Sequence, residues 1–229
     1  MASFAVLDKR LRRNQKALHD WLWRGWKGDE AKLLADLTRD ARDLDAFLGA
    51  GGKLRRPVEA LLAAVRAKGK VGAGETLFEL LSHAYDLTAA TEHVRKGDFA
   101  GAGDHLENEI RSVTIGVCAN AGSFHLVQAW EGGRIDFETY MGKLADFLEA
   151  KGVARAGEWK RIATAAYRLK ASLDSRAPEP ERALLAGAAI AGACWATLAS
   201  VSIRRRLGSP PRVPYADFAA VVRKISDRL

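Results

Sequence analysis

Residues 183–203, ALLAGAAIAGACWATLASVSI, carry no charge, and Arg204, Arg205 and Arg206 follow directly. An uncharged run of this length has two natural outcomes. It can span a bilayer, which takes about 20 apolar residues, or it can lie buried on all sides in a helical domain. Composition favours the second. Most of its residues are Ala, Gly, Ser or Thr, with few large aliphatic side chains to face lipid. Gly187, Ala188, Ala191 and Gly192 would let neighbouring helices approach closely. The stretch is expected to be the buried, small-residue-rich helix around which a bundle packs, with no membrane involved.

The remaining segments show the 3.6-residue period of amphipathic helices. Residues 3–27 begin with Ser3 as a cap and put Leu7, Leu11, Leu18 and Leu22 on one face, ending at Gly25 and Gly28. Asp29 caps a second helix to about residue 48, with Leu33, Leu37, Leu44 and Leu48 as its stripe. The run Gly49-Ala50-Gly51-Gly52 is a break. Pro57 then opens a third helix carrying Val58, Leu61, Leu62 and Val65. Further helices are expected over residues 75–96, after Asp98, over 137–151 behind Asp136, and over 157–174. Pro178 and Pro180 break the chain before the apolar stretch, and Gly208-Ser209-Pro210-Pro211 connects it to a last helix over 215–228. Residues 119–137 admit a short helix or a hairpin turning at Gly132-Gly133, and the helical surroundings favour the helix. The fold class is all-α: a bundle of about ten helices forming a single domain over 1–229, with a softer division into 1–118 and 123–229.

Charge bounds the function. Lys and Arg number 36 against 28 Asp and Glu, a formal charge of +8. Such a surface favours nucleic acid, acidic proteins or anionic lipid. Cys118 and Cys194 are the only cysteines, both in apolar surroundings, which suits buried free thiols and a reducing, cytoplasmic location. The N-terminal stretch turns basic after seven residues, unlike a signal peptide.

The densest basic surface is predicted on the first helix. Lys9, Arg10, Arg12, Arg13 and Lys16 lie within two turns, and Arg24 and Lys27 follow. Trp21, Trp23 and Trp26 interleave with them, and Trp23, off the leucine stripe, is the ring expected to be exposed. Cations of this kind bind phosphates, and an exposed indole stacks on a base. A second basic set comprises Lys53, Arg55 and Arg56 with Arg66, Lys68 and Lys70, beside glycine-rich stretches that lack the Walker spacing. Arg204 to Arg206 with Arg212 form a third, placed to complement a helix dipole. The five histidines show no ligand spacing, so no metal or cofactor is expected, and Glu107, Glu109, Asp98 and Asp104 read as solvated helix faces.

Two resemblances bear on function. Residues 57–96 loosely resemble a DNA-binding helix-turn-helix, with Leu87-Thr88 as the turn and Thr91, His93 and Arg95 facing the groove. Arg13 and His19, with Asn14 beside the arginine, superficially resemble the Arg-then-His motif of HEPN-type ribonucleases, which implies His as acid or base and Arg as phosphate ligand. The leading expectation is a non-enzymatic nucleic-acid-binding subunit of a larger nucleoprotein assembly, contacting single-stranded or hybrid backbone and working with other protein subunits. A protein-interaction scaffold, a transcription regulator and a ribonuclease are the alternatives.

Overall fold

The computed structural model describes residues 4–47, 55–69, 72–174 and 176–207, and these contain helices and turns with no strand. They form α1 (Phe4–Trp23), α2 (Glu30–Phe47), α3 (Arg55–Lys68), α4 (Ala73–Arg95), α5 (Phe99–Ala121), α6 (Phe124–Glu131), α7 (Phe137–Ala150), α8 (Ala156–Ala171) and α9 (Glu179–Arg206). A short 3-10 turn, Ser172–Asp174, follows α8. Nine α-helices among the described residues stand close to the ten expected. The expected helix over 215–228, its connector, the Ser3 cap and the break at 49–52 lie outside the described residues.

Each helix forms where apolar periodicity and a terminal signal coincide. Leu7, Leu11, Leu18 and Trp21 are buried along one side of α1. The helix stops at Trp23 because Gly25 takes a left-handed φ of 63°, a conformation that costs glycine little. Asp98 caps α5 by accepting from the Gly101 amide at 2.9 Å. Asp136 caps α7 by accepting from the Thr139 amide at 2.7 Å. Caps of this type contribute about 1 kcal/mol in helical hosts. Residues 124–131 are helical, so the hairpin alternative is wrong. Leu126 and Val127 anchor α6 in the core, whereas a two-stranded hairpin would have had no sheet to join.

α4 links the first three helices to the later ones. It packs against α1, α2 and α3 and also against α5 and α9, while α9 further contacts α5 and α8. Ala186, Ala189, Ile190, Ala193, Cys194, Ala196 and Ala199 of α9 are buried, and Leu184 is 65% exposed. The approach of α8 to α9 depends on size: a Cβ on Gly192 would come within 2.9 Å of the Ala166 Cβ. α9 extends beyond the uncharged stretch at both ends. Pro180 sits in its first turn, where a missing N–H costs nothing, and Arg204 and Arg206 lie inside it. Among the described residues it is the one helix long and apolar enough to cross a membrane, and 71% of its apolar window is buried within the protein.

Candidate nucleic-acid interface

The basic residues of α1 divide by their position around the helix. The buried stripe Leu7, Leu11, Asn14, Leu18 and Trp21 defines the inner side. At 3.6 residues per turn, Lys9, Arg12, Arg13, Lys16 and Trp23 fall on the opposite side, and all five are exposed. Two of these cations meet acids of their own helix. Arg12 Nε lies 3.0 Å from Asp8 Oδ1, and Lys16 Nζ lies 2.6 Å from Asp20 Oδ2. Lys9, Arg24 and Lys27 are exposed and make no ion pair among the described residues. Trp23 is 48% exposed, its ring edge-on to Phe78 at 5.1 Å and 5.0 Å from the His19 ring.

Arg10 belongs elsewhere. Its guanidinium turns inward to Asp40 at 2.7 Å and Asp43 at 2.5 Å, joining α1 to α2. Asn14 completes this contact by donating to Asp40 Oδ2 at 2.7 Å. Burial pushes the Asp40 carboxyl upward against the pull of Asn14 and Arg10. Arg10 is therefore a structural cation, its guanidinium engaged by α2 and turned away from the outward face of α1. The Tyr85 hydroxyl joins α4 to α1 by donating to Asp8 at 2.5 Å, and burial followed by that bond lifts the phenol to about 12.

The second basic set is only partly described. Arg55 pairs with Glu59 at 3.6 Å, and its amide donates to Asp45. Arg56 and Lys68 are exposed, with no ion pair among the described residues. Lys53 and Lys70 lie outside the described residues. In the third set, Arg204 pairs with Glu79 of α4, leaving its side chain 10% exposed. It acts between helices as well as along its own.

The strongest polar feature of the interior was missed by sequence reading. Glu109 of α5, expected on a solvated face, has a fully buried carboxylate. It meets His83 Nδ1 of α4 at 2.7 Å and accepts from the Thr197 hydroxyl of α9. Ser200 and Arg204 continue this line toward Glu79 at the surface. Burial alone would lower the His83 pKa, but the Glu109 carboxylate outweighs it and the net direction is upward. Burial, with Glu109 next, raises the Cys194 thiol. The one available signal was the phase of α5: Glu109 falls within the inward arc of Leu106, Ile110 and Val113.

His93 and His105, twelve apart in sequence, have ring centroids 5.3 Å apart. Their Nδ1 atoms face Asp98 at 2.7 Å and Asp86 at 3.5 Å. No group of three or more metal-ligating side chains occurs among the described residues. The helix-turn-helix turn is absent, because α4 runs unbroken through Leu87 and Thr88, which are buried with Thr91. Their inward packing removes both the bend and a groove-facing Thr91. The Arg13 and His19 of the ribonuclease resemblance point to different neighbours. Arg13 borders a cleft shared with α2, while His19 packs on Trp23 and on Phe78 of α4.

That cleft, about 400 Å³, lies between α1 and the start of α2. Trp26, Ala17 and Leu33 supply its apolar surface, and Arg13, Lys32, Asp29 and Asp36 its charges. Comparison of the chain with protein-family models, curated proteins and solved structures gives no match in any of the three.

Proposed function

We propose that this protein is a non-enzymatic, nucleic-acid-binding helical subunit that holds the phosphate backbone against the outward face of α1. One observation carries the reading. Lys9, Arg12, Arg13 and Lys16 lie opposite the buried stripe of one helix, with the exposed Trp23 ring at its end. Each phosphate contact would release condensed counterions, and Trp23 would give a base a face to stack on. Arg24, Lys27, Arg56 and Lys68 add exposed positive charge. In this reading the chain acts in the cytoplasm as one domain beside other protein subunits. α1 is held on the scaffold by α4 and α2, and α4 in turn packs on α3, α5 and α9.

The test is fluorescence anisotropy with labelled single- and double-stranded oligonucleotides across a salt series. The wild-type protein should bind more weakly as salt rises. Replacing Lys9, Arg12, Arg13 and Lys16 together with Glu should weaken binding and flatten the salt dependence, by about 0.7 in log–log slope per lost single-strand contact. Unchanged affinity and slope would refute the proposal. A protein-interaction surface is the second reading, favoured by Asp8 and Asp20 among the α1 cations. It predicts partner capture that competing oligonucleotide does not reduce.

A further inference from the structure

We infer that the cleft between α1 and α2 receives a single unstacked base from the strand that lies along α1. The inference rests on the phosphate-binding reading of that face and assigns the base recognition beside it. At about 400 Å³ the cleft has the size of a small-ligand site, and its parts correspond to those of a nucleotide.

Trp26 offers the stacking surface. Its ring is half-buried against the core, so it is held in place before any ligand arrives. Gly28 is required for that position: a Cβ there would stand 2.1 Å from the indole ring. Ala17 and Leu33 add apolar surface. Arg13 and Lys32 are exposed and make no ion pair among the described residues. Arg13 has only a long bond, 3.4 Å, to Asn14 Oδ1, which leaves most of its guanidinium donors for a phosphate. Asn14 itself is 3% exposed and tied to Asp40, so this side of the cleft is rigid.

Of the two carboxylates in the cleft, Asp29 is exposed and accepts from the Lys32 amide at 3.1 Å, so the more buried Asp36 supplies the selectivity. Its half-buried carboxylate lines the cleft and makes no hydrogen bond or ion pair among the described residues. A carboxylate only accepts, so it suits the exocyclic amino groups of adenine, cytosine and guanine. Thymine and uracil offer only a ring N3–H set between two carbonyl oxygens, which face a carboxylate less favourably than an exocyclic amine does. The base must leave its stack to enter, so single strands are preferred to duplex.

The experiment uses the full chain with labelled oligo-dA, oligo-dT and an abasic strand of equal length. Oligo-dA should bind roughly tenfold more tightly than the abasic strand, the loss expected for one stacked base, and more tightly than oligo-dT. Asp36→Asn should narrow the dA/dT difference, and Lys32→Glu should weaken both strands. Neither side chain belongs to the packed core. A 2-aminopurine base in the strand should be quenched on binding, and Trp26→Leu should relieve the quenching. Equal binding of abasic and dA strands would overturn the cleft, and with it base stacking on Trp23, while leaving the phosphate contacts of the α1 cations intact. A dA/dT difference unchanged in Asp36→Asn would overturn it too, by locating the discrimination elsewhere. No binding of any strand at low salt would refute the cleft and the α1 reading together.

Discussion

The outward face of α1 and the junction of α4, α5 and α9 hold similar charged side chains in opposite surroundings. On α1, Arg12 is 67% exposed and reaches Asp8 one turn away. At the junction, His83 is 6% exposed and the Glu109 carboxylate not at all, and the two residues come from different helices. Water competes with the first pair and screens it, so exposed pairs contribute about 0–1 kcal/mol. No water competes at the second. There each partner has lost its hydration and depends on the other, and removing one leaves an uncompensated charge. The first region keeps cations available for a ligand. The second uses charge to fix how three helices meet.

The largest test of this contrast is Glu109→Ala. Loss of the carboxylate should destabilise the fold by about 3–5 kcal/mol, measured by urea unfolding, since His83 and Thr197 lose their buried partner. Replacing His83 and Glu109 together with Leu should recover most of that loss. A cost below about 1 kcal/mol for Glu109→Ala would mean that the pair behaves like a surface one.

A smaller effect should appear with pH. The folded protein holds the His83 proton more tightly than the unfolded chain, whose ordinary value is 6.5. The pair's stabilisation is therefore complete below that value and is lost as pH rises through the raised folded value. Urea midpoints should fall above neutrality in wild type and fall less in His83→Gln. The charged neighbours Glu79 and Arg204 persist in that variant, so the comparison isolates His83. Equal pH dependence in the two proteins would locate the titrating group elsewhere.

The smallest effect belongs to α1. Arg12→Ala removes the Asp8 pair and the contact of the guanidinium over the Tyr85 ring at 5.4 Å. The expected cost is at most about 1 kcal/mol in the same unfolding assay. A larger loss would make Arg12 a structural cation like Arg10.

Much of the fold was legible residue by residue. Leu7, Leu11 and Leu18 marked the inner face of α1, Asp98 and Asp136 marked helix starts, and the opposite face of α1 was readable as exposed and basic. Less of the candidate site was legible. Arg10 and Arg13 looked alike in sequence, yet one is bound to Asp40 and the other borders the cleft. His83 and Glu109 lie 26 residues apart, and His93 and His105 twelve, so no local spacing linked them.

By itself, then, the sequence determined helix content, caps and the inward phase of each helix, because period and end chemistry act within a few residues. Tertiary structure alone decided which inward faces meet, and hence which charges lost their water. Glu109 and Glu107 stand two residues apart on α5, yet only Glu109 faces His83 and Thr197, while Glu107 meets Lys170 at a partly exposed pair. A helix's period sets which way a side chain points, and only the packing of α4 and α9 on α5 sets what it finds there.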